Sequence, residues 1–224
     1  MSTIAPGIKS SSPEINSRLF EGQNGNNFWI GRIATLDSIE GQNIYDATSV
    51  LRANVYSSLG FIPQENIDNL GRELDKDDAR SVHFAVVESP LLPDGKTYGR
   101  ANVIGTSRLI NKNSPDYQLP IEHHFPEAFE VQPASTGTVE VSRLIVRHDN
   151  SRTQRTVALA LIRAMTHYSI AEKIEADYCM VEAPLLRLLN GSGIPTAILG
   201  ETKKVAELGG DLIPVKIEAF PLLP

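Results

Sequence analysis

At 224 residues and 41% hydrophobic, the chain can bury one sizeable core. A net charge of -6 argues against the basic face of a general nucleic-acid binder, and the single cysteine, Cys179, excludes a disulfide framework or a cysteine zinc site. No stretch approaches the ~18 apolar residues of a membrane span, and no charged head with an apolar run marks a secretory signal, so a soluble, cytoplasmic protein is expected.

Residues 1–27, rich in Ser, Asn, Gly and Pro, are expected to form a loose N-terminal arm, with one domain over 28–224. Phe28 to Leu36 reads as a first strand. Ile44, Thr48, Leu51, Val55 and Leu59 recur at helical spacing and predict a helix from about Glu40 to Leu59, stopped by Gly60 and Pro63. Arg52 and Tyr56, four apart, share a face of it. The run Glu73-Leu74-Asp75-Lys76-Asp77-Asp78 follows. Such a run is usually a solvated face, and this one lacks the glycine and spacing of a calcium loop. Recognition of a cationic substrate such as an amine is a further reading.

Val82 to Glu88 and Val103 to Ile110 predict an antiparallel hairpin with a long loop. Gly105 suggests a bulge or close backbone approach, and Arg108 is a charge inside an apolar strand, either placed for use or reaching solvent along its stem. Val139 to Val146 is an apolar strand that carries Glu140 and Arg143. Two unpaired charges in a buried strand cost several kcal/mol each. They are either partnered for structure or face a cavity. Residues three apart on a regular strand point to opposite faces, so a shared site requires a bulge, expected near Val141 and Ser142.

A helix from about Thr153 to Lys173 follows, apolar nearly all round in its first half and so expected to be well buried. Arg147, Arg152 and Arg155 gather at its start, where free N–H groups favour an anion; a solvated loop is the alternative. Tyr178 to Glu182 reads as a strand, Pro184 to Asn190 as a short helix capped by Gly191, and a β region runs to about Glu218. This order predicts an α+β fold, three layers built on a mostly antiparallel sheet. His123, His124 and His148 read as ordinary loop histidines, with no metal site expected. No nucleophile elbow, P-loop or dinucleotide glycine pattern is present.

Arg52 and Tyr56, Glu73-x-Asp75-x-x-Asp78, Gly105-Thr-Ser-Arg108-Leu109, Phe125, and Glu140-x-x-Arg143 stand in an order that resembles the acyl-homoserine-lactone (autoinducer) synthases, over residues 45–215. Leu119-Pro-Ile-Glu-His-His-Phe125 and Glu140-Val-Ser-Arg-Leu144 also resemble the long-chain N-acyl amino acid synthases and exosortase-associated acyltransferases. The resemblance implies a GNAT fold with a bulged central strand beside an acyl thioester. It implies an N-acyltransferase that moves a fatty acyl group from acyl-carrier protein or acyl-coenzyme A to an amino-acid-type amine, with no bound cofactor. Glu140, with Glu73 second, would be the base, and strand N–H groups near Ser142 and Arg143 the oxyanion donors. Arg52, Tyr56, Asp75, Asp78, Arg108, Phe125, Leu144 and Val146 would bind substrate. Arg147, Arg152 and Arg155 would meet the phosphopantetheine and its carrier.

Two departures bear on the substrates. The coenzyme A loop glycines of GNAT acetyltransferases are replaced by Arg152-Thr-Gln-Arg155-Thr, which resembles the carrier-protein users. Where autoinducer synthases carry a tryptophan this chain has Phe61-Ile62, and Tyr56 replaces the usual phenylalanine, which leaves a free amino acid open beside S-adenosylmethionine. An apolar tunnel could be lined by Leu144, Val146, Leu161, Met165 and Met180, each of which could equally be core packing. A non-catalytic acyl- or carrier-binding module and an acetyl-coenzyme A acetyltransferase are the competing readings.

Overall fold

The computed structural model describes residues 15–21, 26–33, 36–94, 99–205 and 208–218. Among them, strands β1 (Ile15–Glu21) and β2 (Asn27–Ile33) precede helix α1 (Ile39–Ser58). Strands β3 (Ser81–Ser89) and β4 (Asn102–Asn111) follow, then helix α2 (Pro120–His124), strand β5 (Val139–Val146) and helix α3 (Ser151–Ala171). The chain closes with β6 (Asp177–Val181), α4 (Ala183–Gly191), β7 (Thr196–Ile198), β8 (Lys203–Val205) and β9 (Gly210–Ile217). The strands form one mixed sheet in the order β1-β2-β3-β4-β5-β6-β9-β7, with β8 on β9. Every pairing is antiparallel except β5 with β6.

Alternation along the strands sets the layers. Phe28, Ile30, Phe84 and Val86 pack with Val157, Leu161 and Met165 of α3. Trp29, Ala85 and Val87 pack with Ile44, Ala47 and Leu51 of α1. The two long helices therefore cover opposite faces. The short α2 joins the α1 side, where Ile110 meets Leu119, Ile121 and Phe125.

Local chemistry explains the boundaries. Ser38 caps α1 by accepting from Gly41 N at 3.0 Å, and Gly60, at φ 71°, turns the chain away after the helix. Asn150 caps α3 by accepting from Thr153 N at 2.9 Å, so that helix begins two residues before the predicted start. Its first half is not buried all round: residues 154–156 are exposed, and Val157 and Leu161 form the buried stripe. Gly191 lies inside α4, which ends at Ser192 with Gly193 at φ 74°. At Gly105 the backbone approach is real, since a Cβ there would lie 3.0 Å from Val86 Cγ2 and 3.2 Å from the Ile145 carbonyl. One expectation is corrected at the N-terminus, where residues 15–21 of the supposed loose arm form β1 on the sheet edge. Residues 1–14 lie outside the described residues.

Candidate active site

The site grows from an irregularity in β5. Its pairing with β4 is regular from Asn111–Val139 through Arg108–Ser142 and resumes at Thr106–Ile145. One extra residue is thus accommodated in β5, and Arg143 takes φ 58°. A side chain in this left-handed region costs ~1–2 kcal/mol, offset here by the ion pairs that Arg143 gains. The expected bulge exists, but it lies just past Ser142 rather than at Val141–Ser142. On the other edge, β5 pairs with β6 only over Val139–Asp177 to Val141–Cys179, and the pairing ends there.

The bulge turns Arg143 toward the loop between α1 and β3. Its Nη2 donates to Glu73 Oε1 at 2.8 Å and to Asp75 Oδ2 at 3.0 Å, and its guanidinium lies 5.2 Å from the Tyr56 ring centroid. Arg52 of α1 donates to the Glu73 carboxylate and, at 2.7 and 2.9 Å, to both oxygens of Asp78. Arg108 of β4 holds Asp75 at 2.6 and 2.7 Å and Asp78 at 2.7 Å. Three guanidiniums and three carboxylates neutralise one another. Burial would raise Asp75 and Asp78, but hydrogen bonds and charge from Arg108 to Asp75, and from Arg52 and Arg108 to Asp78, outweigh it and hold both below the usual carboxylate range.

Glu140 stands apart from this network, although it is only 2% exposed. Its Oε2 accepts from Ile121 N at 2.8 Å, while its Oε1 has no hydrogen-bond partner among the described residues. Burial, reinforced by the Asp77 charge, pushes Glu140 up to about 8 against the Ile121 N–H and the Arg108 and Arg143 charges. It lines a cavity of about 730 Å³ with Tyr56, Phe61, Asp77, Arg108, Tyr117, Ser142 and Arg143. That cavity also carries Lys76, Gln118, His123 and His124 on its wall, with apolar residues from both faces of the sheet: Ile162 and Cys179 come from the α3 side, Met180 and Leu212 from the other. It therefore passes through the sheet where β5 and β6 part. A second groove of about 780 Å³ shares Tyr56, Phe61, Leu144 and Leu185 and runs past Val146, Ser151 and Arg155 to Arg187.

The structure sorts the predicted residues. Glu140, Ser142, Arg143, Tyr56, Asp75, Arg108 and Leu144 line the main cavity. Arg52, Glu73 and Asp78 lie behind it and brace Arg108 and Arg143. Glu73 is gripped by the Arg52 and Arg143 guanidiniums and does not line the cavity. Phe125 is fully buried against Ile110 and Leu119 and does not reach the cavity. Val146 faces the second groove, as does Arg155; Arg147 and Arg152 are exposed and line neither. Of the expected tunnel, Leu144 and Met180 line the cavity, whereas Leu161 and Met165 are core.

Sequence reasoning held Asp77 only as part of the acidic run, read His123 and His124 as loop histidines and missed Tyr117, all of them on the cavity wall. It also missed the buried pair of Lys112 with Glu122, at 2.6 and 2.8 Å. Cys179 lines the cavity, but burial pushes its thiol well above the ordinary range, as expected of a packing residue. No group of residues suited to hold a metal ion occurs among the described residues.

The autoinducer synthase family model matches residues 96–213. The chain belongs to the autoinducer synthase family. It is an acyltransferase, and its α+β architecture is the GNAT-like one of solved family structures. Autoinducer synthase structures with this fold include LasI, an AHL synthase, at 19% identity and TM-score 0.63, covering 91% of each chain. BjaI, a coenzyme A-dependent acyl-homoserine lactone synthase solved with SAM and isopentyl-CoA, is 19% identical with TM-score 0.55, covering 79% of this chain and 77% of its own. FeeM, an N-acyl amino acid synthase from uncultured soil microbes, is 13% identical with TM-score 0.59, covering 87% and 92%. No curated protein sequence matches the chain. Among the described residues, no helix is long and apolar enough to cross a membrane.

Proposed function

We propose that this autoinducer synthase relative moves a fatty acyl group from a carrier-protein thioester to the α-amine of an amino-acid-type acceptor. The observation that supports the reading most is the cavity at the β5–β6 split, with the Glu140 carboxyl, which has no cation partner among the described residues, at its polar end and apolar residues beyond. The groove past Arg155 leads to the α3 N-terminus, where the exposed Arg147, Arg152 and Arg155 suit a phosphopantetheine phosphate and an acidic carrier.

In this reading the thioester carbonyl lies beside β5, beyond Val141, where backbone N–H groups near Ser142 and Arg143 receive the developing oxyanion. Glu140, ionised when the cationic acceptor arrives, takes a proton from its ammonium. The amine nitrogen attacks the carbonyl carbon, the C–S bond breaks, and an amide forms. Of the two protons the ammonium loses, one ends on the departing thiol and the other leaves through Glu140 to water. Tyr56, under the Arg143 guanidinium and 6.3 Å from the Phe61 ring, forms the acceptor-side wall together with Phe61, which stands where the family carries a tryptophan. If S-adenosylmethionine is the acceptor, its carboxylate could then close a lactone and release methylthioadenosine.

The test pairs acyl-carrier protein and acyl-coenzyme A donors with amino acids and S-adenosylmethionine. Thiol release with an N-acylated product by mass spectrometry supports the reading; no thiol release, or hydrolysis without amide, overturns it. Reversing the charge of Arg147, Arg152 and Arg155 should slow carrier-protein transfer about tenfold or more at low salt and spare the coenzyme A donor.

A further inference from the structure

Of the carboxylates in the acidic run that the sequence offers for an amine, Glu73, Asp75 and Asp78 are each engaged by guanidiniums. A cationic acceptor must therefore be met elsewhere. On the buried cavity wall, among the described residues, the carboxyl groups without a cation within ion-pair distance are Asp77 and Glu140. Asp77 is 6% exposed, and its one side-chain hydrogen bond among the described residues comes from the Tyr117 hydroxyl, which donates to Oδ1 at 2.8 Å. Tyr117 is itself fixed by Arg80, whose guanidinium lies 3.7 Å from the ring centroid. Glu140 offers its unpartnered Oε1 to the same cavity, and the two carboxyls sense one another. Two uncompensated carboxyls on one wall are costly when empty and complementary to an ammonium. Lys76, the next residue, lines the cavity, is exposed and has no carboxylate partner among the described residues.

We propose that Asp77, oriented by Tyr117, anchors the acceptor's ammonium beside Glu140, and that Lys76 receives its carboxylate, so the acceptor is an α-amino acid zwitterion. Adjacent opposite charges at the cavity wall match the adjacent opposite charges of that group. Asp77 then sets acceptor affinity, and Tyr117 is a positioning residue that acts through it.

This assignment rests on the acyl-transfer reading, and the experiment separates the two. Thiol release is followed with octanoyl-coenzyme A and octanoyl-carrier protein across amino acids, S-adenosylmethionine and the matching decarboxylated amines. Asp77→Asn, isosteric and able to keep the Tyr117 hydrogen bond, should raise the acceptor KM about tenfold or more while the donor KM stays within about twofold. Tyr117→Phe should raise the acceptor KM by about threefold, a smaller effect in the same direction. Lys76→Ala should cost about two- to fivefold for an amino acid and nothing for its decarboxylated amine. An Asp77→Asn acceptor KM within about twofold of the unaltered protein overturns the anchor. Equal Lys76→Ala effects on amino acid and amine overturn the carboxylate assignment. Absence of thiol release from the unaltered protein with every acceptor overturns the acyl-transfer reading and this assignment with it.

Discussion

Two buried glutamates meet at the short helix α2, Glu122 within it and Glu140 beside it, and their surroundings differ in one respect. Glu122, 5% exposed, is complete: both oxygens meet Lys112 Nζ, and they also accept from Leu119 N at 2.8 Å and Ala134 N at 3.2 Å. Glu140 has, among the described residues, only the Ile121 N–H, and it faces the cavity. Burial alone does not distinguish a brace from a reagent. The count of satisfied lone pairs does, because a carboxylate with every acceptor site filled has no place for a substrate proton.

The largest effect expected from this contrast is on rate. Glu140→Gln should lower kcat by about 10²–10⁴-fold, measured by thiol release, with the melting temperature unchanged or raised. Full transfer by that variant would remove Glu140 from the base role. Lys112→Met should do the reverse, costing about 3–5 kcal/mol in denaturant unfolding because Glu122 is left buried and unpaired. Its folded fraction should keep the acceptor KM, and a large KM change would mean the α2 region is not separate from the chemistry.

A third prediction concerns pH. Glu140 keeps its proton in the folded protein up to about 8 but releases it near 4.5 when unfolded. The folded state binds the extra proton between those values, so this contribution is full below 4.5 and lost as pH rises toward 8. The melting temperature of Glu140→Gln relative to the unaltered protein should therefore climb from pH 5 to pH 8; a flat difference would contradict a neutral Glu140. Asp75 and Asp78 act oppositely: their arginines hold them low, so their contribution is present above the ordinary carboxylate range and lost as acid protonates them. The smallest effect belongs to the exposed Lys203–Glu127 pair at 2.7 Å, where Lys203→Ala should leave both the melting temperature and transfer essentially unaltered.

Much of the frame was readable from local pattern. Helical spacing located α1 to within a residue, and apolar alternation located β3, β4 and β5. The β1 strand was not readable, because Ile15–Glu21 is polar at most positions and resembles a linker. The bulge was legible as a necessity, since Glu140 and Arg143 could share a site no other way, yet its position depended on register with β4, a non-local property. Arg108 and Arg143 were found as charges out of place in apolar strands, and Arg52 by its place in the family's order of residues. Asp77 and Tyr117 carried no such mark; forty positions apart, they meet only when the fold brings the loop over the cavity. Phe125 shows the opposite failure, a residue in the expected order whose ring packs inward.

The ion-pair network also bears on how the protein loses activity. Its bonds join α1, the following loop, β4 and β5 across sequence separations of 21 to 70 residues. Contacts of that span close late in folding, since their loop entropy must be met first. The left-handed backbone at Arg143 is compensated only once the loop is seated. Assembly of the reaction centre is thus a cooperative closing step, and mild denaturant should silence transfer before the helices melt. Inactivation and unfolding would then be two separable midpoints rather than one.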